Sequence, residues 1–357
     1  MQQLTTAEMA MKQKAVLLIC TGGTISMIQD PKTGVLHPAD IEQFKAYIPE
    51  LFEYNIHIDM LPFTPLIDSS DVNPETWSKL AHIIYDNYNE YDGFVILHGT
   101  DTMAYSASAL SFMLDNLSKP VVFTGSQLPM GVLRGDAKEN LITAIEIAVA
   151  QDSNGKAIVP EVCIFFEDKL LRGNRTTKKD AERFEAFRSY NYPPLAIAGV
   201  HIKYNTSVIR YPQPDLPLRL RTRINRHVVI LKLFPGISQQ TVEAILNIPH
   251  LKAVVLETFG AGNAPSDEWL YETLQSAYNR GIIIVSKTQC SKGSVEMGRY
   301  QTSINLLKAG VISGYDITTE ALTTKMMYLL GEEGDNIDTV RDLLRTSLCG
   351  EMSVEDN

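Results

Sequence analysis

Two short polar turns carry the residues most suited to chemistry, Thr21-Gly-Gly-Thr-Ile25 and His98-Gly-Thr-Asp-Thr-Met103. Each follows an apolar run, Ala15–Cys20 before the first and Gly93–Leu97 before the second. Such runs read as buried strands, so the turns place threonine hydroxyls and an aspartate just past strand carboxyl ends, where open α/β sheets bind ligands. Glycine admits positive φ and lets backbone N–H groups face a ligand. Threonine hydroxyls are weak nucleophiles and need a base. A lysine serves only when neutral, which requires burial or a nearby cation. Arg172-Gly-Asn-Arg-Thr-Thr-Lys-Lys179 supplies candidates, although composition alone reads it as a solvated basic loop. His98, with no acid partner or nucleophile pattern around it, reads as a packed, hydrogen-bonded histidine.

The elements that position these turns alternate between strand-like and helix-like segments, the signature of βαβ units and a mostly parallel sheet. Pro120–Thr124 and Val162–Phe166 are further strands, and Thr124-Gly-Ser-Gln127 is a third turn. Pro74–Tyr85 reads as an amphipathic helix with Asn73 as N-cap and Pro74 at its first position. Thr102–Met113 reads as a small-residue helix suited to close packing, and Asn140–Val149 as another helix. Met27–Gly34 holds turn formers without periodicity and is expected to be a mobile loop. Ser207–Leu218 holds three prolines and reads as a stiff linker. Beyond it, Val228–Phe234, Ala253–Thr258 and Gly281–Val285 restart the strand pattern. The expected fold is α/β: a larger N-terminal three-layer parallel-sheet domain and a smaller C-terminal three-layer, Rossmann-like α/β domain. The expected bounds are 1–206, with 1–13 a loose extension, a linker at 207–222, and 223–357.

Composition narrows the class. The 357 residues carry a net charge of −10, 42 acidic against 32 basic, which argues against a phosphate-neutralising nucleic-acid surface. No apolar run reaches the ~18 residues that span a bilayer, and the N-terminus lacks a signal-peptide pattern. The expected location is the cytoplasm. Cysteines at 20, 163, 290 and 349 form no C-x-x-C pair, and the seven histidines form no cluster, so neither metal nor cofactor is expected. A dinucleotide-binding module is disfavoured because Gly260-Ala-Gly-Asn-Ala-Pro265 begins like G-x-G-x-x-G and ends in proline. No G-x-S-x-G elbow supports a serine hydrolase.

The ordered set Thr21-Gly-Gly-Thr-Ile25, Asp68-Ser-Ser-Asp71, His98-Gly-Thr-Asp-Thr-Met103, Thr124-Gly-Ser-Gln127, Arg172–Lys178 and Gly260-Ala-Gly-Asn263 resembles the L-asparaginases. The stretch Asp92–Tyr105 is especially similar to their bacterial cytoplasmic type I branch. The resemblance implies hydrolysis of L-asparagine to L-aspartate and ammonia through a threonine acyl-enzyme. It implies that Thr24 is the nucleophile on a mobile lid and that Thr100, Asp101 and Lys178 form a second catalytic cluster. Ser69 would bind the substrate α-carboxylate, Asp101 with Ser70 the α-ammonium, and the backbone N–H of Thr100 the oxyanion. Ser126 would offer its carbonyl to the leaving nitrogen. The resemblance also implies a homo-oligomer, a dimer of dimers, and a second, regulatory asparagine site near Thr288 and Cys290.

Two positions depart from the family pattern. Gly34-Val-Leu-His37 stands where many members have a lid tyrosine, and Glu257 where an arginine is expected to meet the regulatory ligand. The alternative is the asparaginase-like subunit of a tRNA-dependent amidotransferase, which predicts an extra N-terminal domain or a basic docking surface.

Overall fold

The computed structural model describes residues 13–29, 33–50, 55–298 and 301–354. Most of the expected N-terminal extension, and residues 30–32 of the expected loop, lie outside them. Eight strands form the first sheet: β1 (Lys14–Cys20), β2 (Ile56–Pro62), β3 (Gly93–Leu97), β4 (Val121–Thr124), β5 (Val162–Phe166), β6 (Lys169–Arg172), β7 (Ala196–Ala198) and β8 (Ile202–Tyr204). Their spatial order is β2-β1-β3-β4-β5-β6-β7-β8. β1 pairs in parallel with β2 on one side and β3 on the other, so the order reverses between β1 and β3. That reversal opens the crevice in which doubly wound sheets bind ligands. The turns that begin at Thr21 and His98, at the ends of β1 and β3, flank it.

Alternation along the strands builds two cores. Val16, Leu18, Val95 and Leu97 face one side, where they meet Leu141, Ala144 and Ile145 of helix α3 (Ala137–Ala148). Leu17, Ile19, Phe94 and Ile96 face the other, against Trp77 and Leu80 of α1 (Pro74–Asp86) and Ala107 and Leu110 of α2 (Met103–Met113). Three layers result, as expected, and Asn73 caps α1 by accepting from the Thr76 N–H. The small residues of α2 serve a tighter purpose than packing on the sheet. A Cβ on Gly173 would fall 2.9 Å from that of Ala107, so the Arg172–Lys178 segment lies hard against this helix.

The sheet is mixed rather than wholly parallel. β6, β7 and β8 pair antiparallel, through β5–β6, β6–β7 and β7–β8 contacts. A tight turn with Glu167 at φ 60° reverses the chain directly after β5, where no crossover helix intervenes. Antiparallel neighbours need only such a turn, whereas parallel ones need a dozen or more residues of crossover.

The second sheet is parallel in the order β9 (Val228–Lys232), β10 (Ala253–Thr258), β11 (Ile283–Thr288) and β12 (Ile312–Ser313), one short strand more than the sequence suggested. Helices α4 (Gln239–Leu246), α5 (Glu268–Asn279) and α6 (Gln301–Lys308) cover one face. Helices α7 (Thr319–Glu332) and α8 (Ile337–Leu344) cover the other. The proline-rich segment is followed by Arg219–Leu220, which pairs with Leu114–Asp115 at the end of α2. No helix among the described residues is long and apolar enough to cross a membrane.

Candidate active site

Close backbone approach brings the turns together. A Cβ on Gly23 would fall 2.4 Å from the Cα and N of Gly99, so the Thr24 turn sits directly on the Thr100 turn. A Cβ on Gly99 would lie 2.6 Å from the Ser69 hydroxyl, and one on Gly125 would lie 2.6 Å from the His98 carbonyl. Three glycines therefore let four segments share one small volume, and any side chain at these positions would push them apart. Gly23 also holds φ 78°, which favours glycine on conformational grounds.

The Thr100 turn holds the densest chemistry. Lys178 Nζ lies 2.8 Å from Thr100 Oγ1 and 2.5 Å from Asp101 Oδ1. Lys178 is carried by a two-residue strand, Thr177–Lys178, paired antiparallel with Phe187–Arg188. Its side chain is 18% exposed, while that of Asp101 is 65% exposed. The lysine is thus shielded and the carboxylate open to an incoming cation. Neither Thr100 nor Asp101 caps α2; the N-cap position is Thr102, and its hydroxyl instead donates to the Ser69 carbonyl at 2.6 Å. The side chains of Thr100 and Asp101 are thus engaged by Lys178 rather than by the helix end.

Thr24 opens a short 3-10 turn, Thr24–Ser26, and no described residue takes or gives a hydrogen bond at its hydroxyl. Thr21, by contrast, is consumed structurally: its hydroxyl and its N–H both bond the Leu97 carbonyl, at 2.8 and 3.0 Å. Of the two threonines in the first turn, only Thr21 has its hydroxyl tied to a described partner. Ser69 is buried beside Gly99. Ser70 is exposed, and its N–H and hydroxyl both donate to Asp68 Oδ1, which holds that carboxyl below its usual range. Ser126 is buried and donates its hydroxyl to the Leu128 carbonyl at 2.6 Å. Among the described residues no group of three or more His, Cys, Asp or Glu side chains is placed to hold a metal ion.

Sequence reasoning missed the residues that hold the third turn. Asp136 accepts the N–H groups of Gln127 and Leu128, and Asn140 Nδ2 donates to the Gly125 carbonyl at 2.9 Å. Asn140 Oδ1 also accepts the Glu167 N–H at 3.0 Å, joining the turns after β4 and β5. The signal was present as a polar pair, one turn apart at the start of α3, inside an otherwise apolar face.

His98 is packed, as expected. Its Nδ1 meets the Gly99 carbonyl at 2.7 Å and its Nε2 the Ser106 hydroxyl at 2.9 Å, which in turn accepts from Trp77 Nε1. Burial disfavours the imidazolium and lowers the pKa from 6.5 to about 4. An unfolded chain therefore takes up this proton first as pH falls. The stabilisation is complete above pH 6.5 and is lost progressively toward pH 4, about 3 kcal/mol in all. Urea midpoints across that window should fall more steeply for the native chain than for His98→Asn. Parallel pH profiles would remove His98 as the cause.

Thr288 and Cys290 line a separate cavity of about 100 Å³ with Thr177, Lys287 and Glu320. The Thr177 hydroxyl donates to Glu320 Oε1 at 2.5 Å, so this cavity begins one residue from Lys178. Burial lowers the Lys287 ammonium and raises the Glu320 carboxyl, each toward its neutral form. Glu257 accepts the Thr319 hydroxyl at 2.9 Å, on the edge of the same region.

Two family models cover the chain, "Asparaginase, N-terminal" over residues 15–210 and "Glutaminase/Asparaginase C-terminal domain" over residues 227–344. The chain belongs to the asparaginase family. Within it, L-asparaginase 1 of Escherichia coli strain K12 is 43% identical over 97% of this chain and 100% of that protein. The crystal structure of L-asparaginase I from Vibrio cholerae superposes with a TM-score of 0.85 at 40% identity, covering 96% of this chain and 99% of that one. One component of the glutamyl-tRNA(Gln) amidotransferase of Pyrococcus abyssi is more distant, at 34% identity over 95% of this chain and 76% of that protein. This asparaginase-family chain is thus more similar to the two asparaginases than to the amidotransferase component.

Proposed function

We propose that this chain hydrolyses L-asparagine to L-aspartate and ammonia through a threonine acyl-enzyme. The observation that carries the reading is the Lys178–Thr100–Asp101 cluster, against whose turn the Thr24 turn is packed through Gly23 and Gly99. Thr24 attacks the side-chain amide carbon; its proton passes to the leaving nitrogen, ammonia departs, and water then attacks the ester carbon to free aspartate and restore the hydroxyl. In this reading Lys178 activates Thr100 or the water held beside it. The N–H of Thr100 holds the oxyanion, where a preorganised donor acts most strongly. The open Asp101 carboxylate receives the α-ammonium together with Ser70, Ser69 binds the α-carboxylate, and the Ser126 carbonyl faces the leaving nitrogen.

The same reading extends to organisation. It takes residues 1–206 and 223–357 as the two domains, joined by 207–222, in a cytoplasmic enzyme that assembles as a dimer of dimers. It takes Thr288 and Cys290 as walls of a regulatory site. The test is release of ammonia from L-asparagine by the purified protein. Thr24→Ala should fall by about 10²-fold or more in turnover, as removal of an activated nucleophile does. Native protein that releases no ammonia, or a Thr24→Ala variant that matches it, would overturn the assignment.

A further inference from the structure

A second cavity lies at the other end of α2 from the reaction site. Thr100 precedes the first turn of this helix, whereas Ser111 and Phe112, in its last turn, line a cavity of about 380 Å³ between the two domains. The helix separates them by about 16 Å at 1.5 Å per residue. The cavity falls within the usual volume range of small-molecule sites.

Its charge runs against that of the chain. In a protein of net charge −10, four arginines line the cavity, at 172, 210, 219 and 221, against two carboxylates, Asp115 and Glu161. Glu161 is already satisfied by Arg172, at 2.6 and 3.0 Å, and Arg221 reaches Glu333 at 3.3 Å. No described residue takes a hydrogen bond or ion pair from the guanidinium of Arg210 or Arg219. Guanidinium forks of this kind match the oxygens of a phosphate or carboxylate in pairs.

The wall that carries Arg210 is held in place. Asn116 accepts the Gln213 N–H at 2.7 Å and donates to the Leu216 carbonyl, and prolines at 212, 214 and 217 stiffen the segment between. Opposite it, Phe112 and Tyr328 stack with ring centroids 5.8 Å apart, and Tyr211 stands at the rim with 53% exposure. Phe112 and Tyr328 are only 3% and 6% exposed, so Tyr211 is the ring left open to a flat apolar body, and Arg210 and Arg219 are the forks left for an anionic group.

We propose that this interdomain cavity is a binding site for an aromatic organic anion of the nucleoside monophosphate class. Arg210 and Arg219 take the anionic group, while Tyr211 takes the ring. The site is independent of the reaction at Thr24, so its test separates cleanly from the asparaginase assay. Calorimetric titration of the full chain with AMP should give saturable binding at one site per chain. Adenosine and inorganic phosphate should each bind at least about tenfold more weakly, since each supplies half of the contacts. The double variant Arg210→Ala, Arg219→Ala should lose AMP binding by at least about tenfold while its asparagine turnover stays within about twofold of the native chain. Absence of saturable AMP binding at millimolar ligand would overturn the site. So would adenosine or phosphate binding as tightly as AMP, or undiminished binding by the double variant.

Discussion

Lys178→Met is expected to lower asparagine turnover by about 10²–10⁴-fold, the range over which a positioned proton-transfer group contributes. The reasoning starts from geometry. Lys178 Nζ is the nearest group able to take a proton from Thr100 Oγ1, at 2.8 Å, and its side chain is largely shielded from water. Methionine keeps the length and apolar stem, so the short strand Thr177–Lys178 and its pairing with Phe187–Arg188 should survive. Lys178→Arg is the sharper variant. A guanidinium stays protonated at any working pH, so it preserves the charge beside Asp101 and removes the base. If the lysine acts only through its charge, Lys178→Arg should hold turnover within about tenfold of native. If it acts as the base, arginine should be no better than methionine. Steady-state rates for the three proteins decide, with circular dichroism to confirm that all are folded.

This dependence on Lys178 marks where the sequence is legible and where it is not. The strands before the two threonine turns were readable because each is a short, continuous apolar run flanked by glycines and polar residues. Being buried on both faces, β3 and most of β1 had to look that way. The helices α1 and α2 were readable from an N-cap and from small-residue content. The family resemblance then supplied roles that spacing alone could not, since Thr21, Thr24, Thr100 and Thr102 are chemically alike in the chain. Only geometry separates Thr21 and Thr102, whose hydroxyls are tied to backbone carbonyls, from Thr24 and Thr100.

The Arg172–Lys179 segment resisted reading for a different physical reason. Its composition suggests a solvated basic loop, yet Arg172 and Arg175 are buried at 4% and 3% exposure. Their charges are matched by Glu161 and Asp316, which lie 11 residues before the one and 141 after the other. A burial that rests on partners so distant leaves no local pattern. The antiparallel turn at Glu167 was hidden for a related reason, because β6 is short and begins with a lysine that pairs with Glu185.

The second large effect is expected at the far end of the chain. Lys325 and Glu351 form an ion pair at 2.7 Å in which both side chains are 0% exposed. Lys325 also donates to the Thr346 carbonyl at 2.6 Å, and Glu351 accepts the N–H groups of Leu348 and Cys349. Burial pushes the Glu351 carboxyl up, but the Lys325 ammonium and these N–H donors outweigh it and hold the carboxyl below its ordinary range. Removing either partner leaves a buried charge uncompensated, so Lys325→Met and Glu351→Gln should each cost about 3–5 kcal/mol in stability. The double variant should cost less than the sum of the two, because no lone charge is left behind. Denaturant midpoints for the four proteins give the coupling directly; strict additivity would show that the pair does not act as one.

A loss of activity should accompany the loss of stability. The segment that Glu351 folds places the Gly350 carbonyl against Arg172 Nη1 and Arg175 Nε, at 3.3 and 2.7 Å. It also sets the Cys349 carbonyl against Asn174 Nδ2 at 3.1 Å. Those three residues begin the segment that ends in Lys178, and they press it against α2. Breaking the ion pair therefore loosens the segment that carries Lys178 from a point in the other domain. Under conditions where Lys325→Met remains folded, its turnover should fall while its melting transition is still intact. If turnover falls only in step with the folded fraction, the tail serves stability alone.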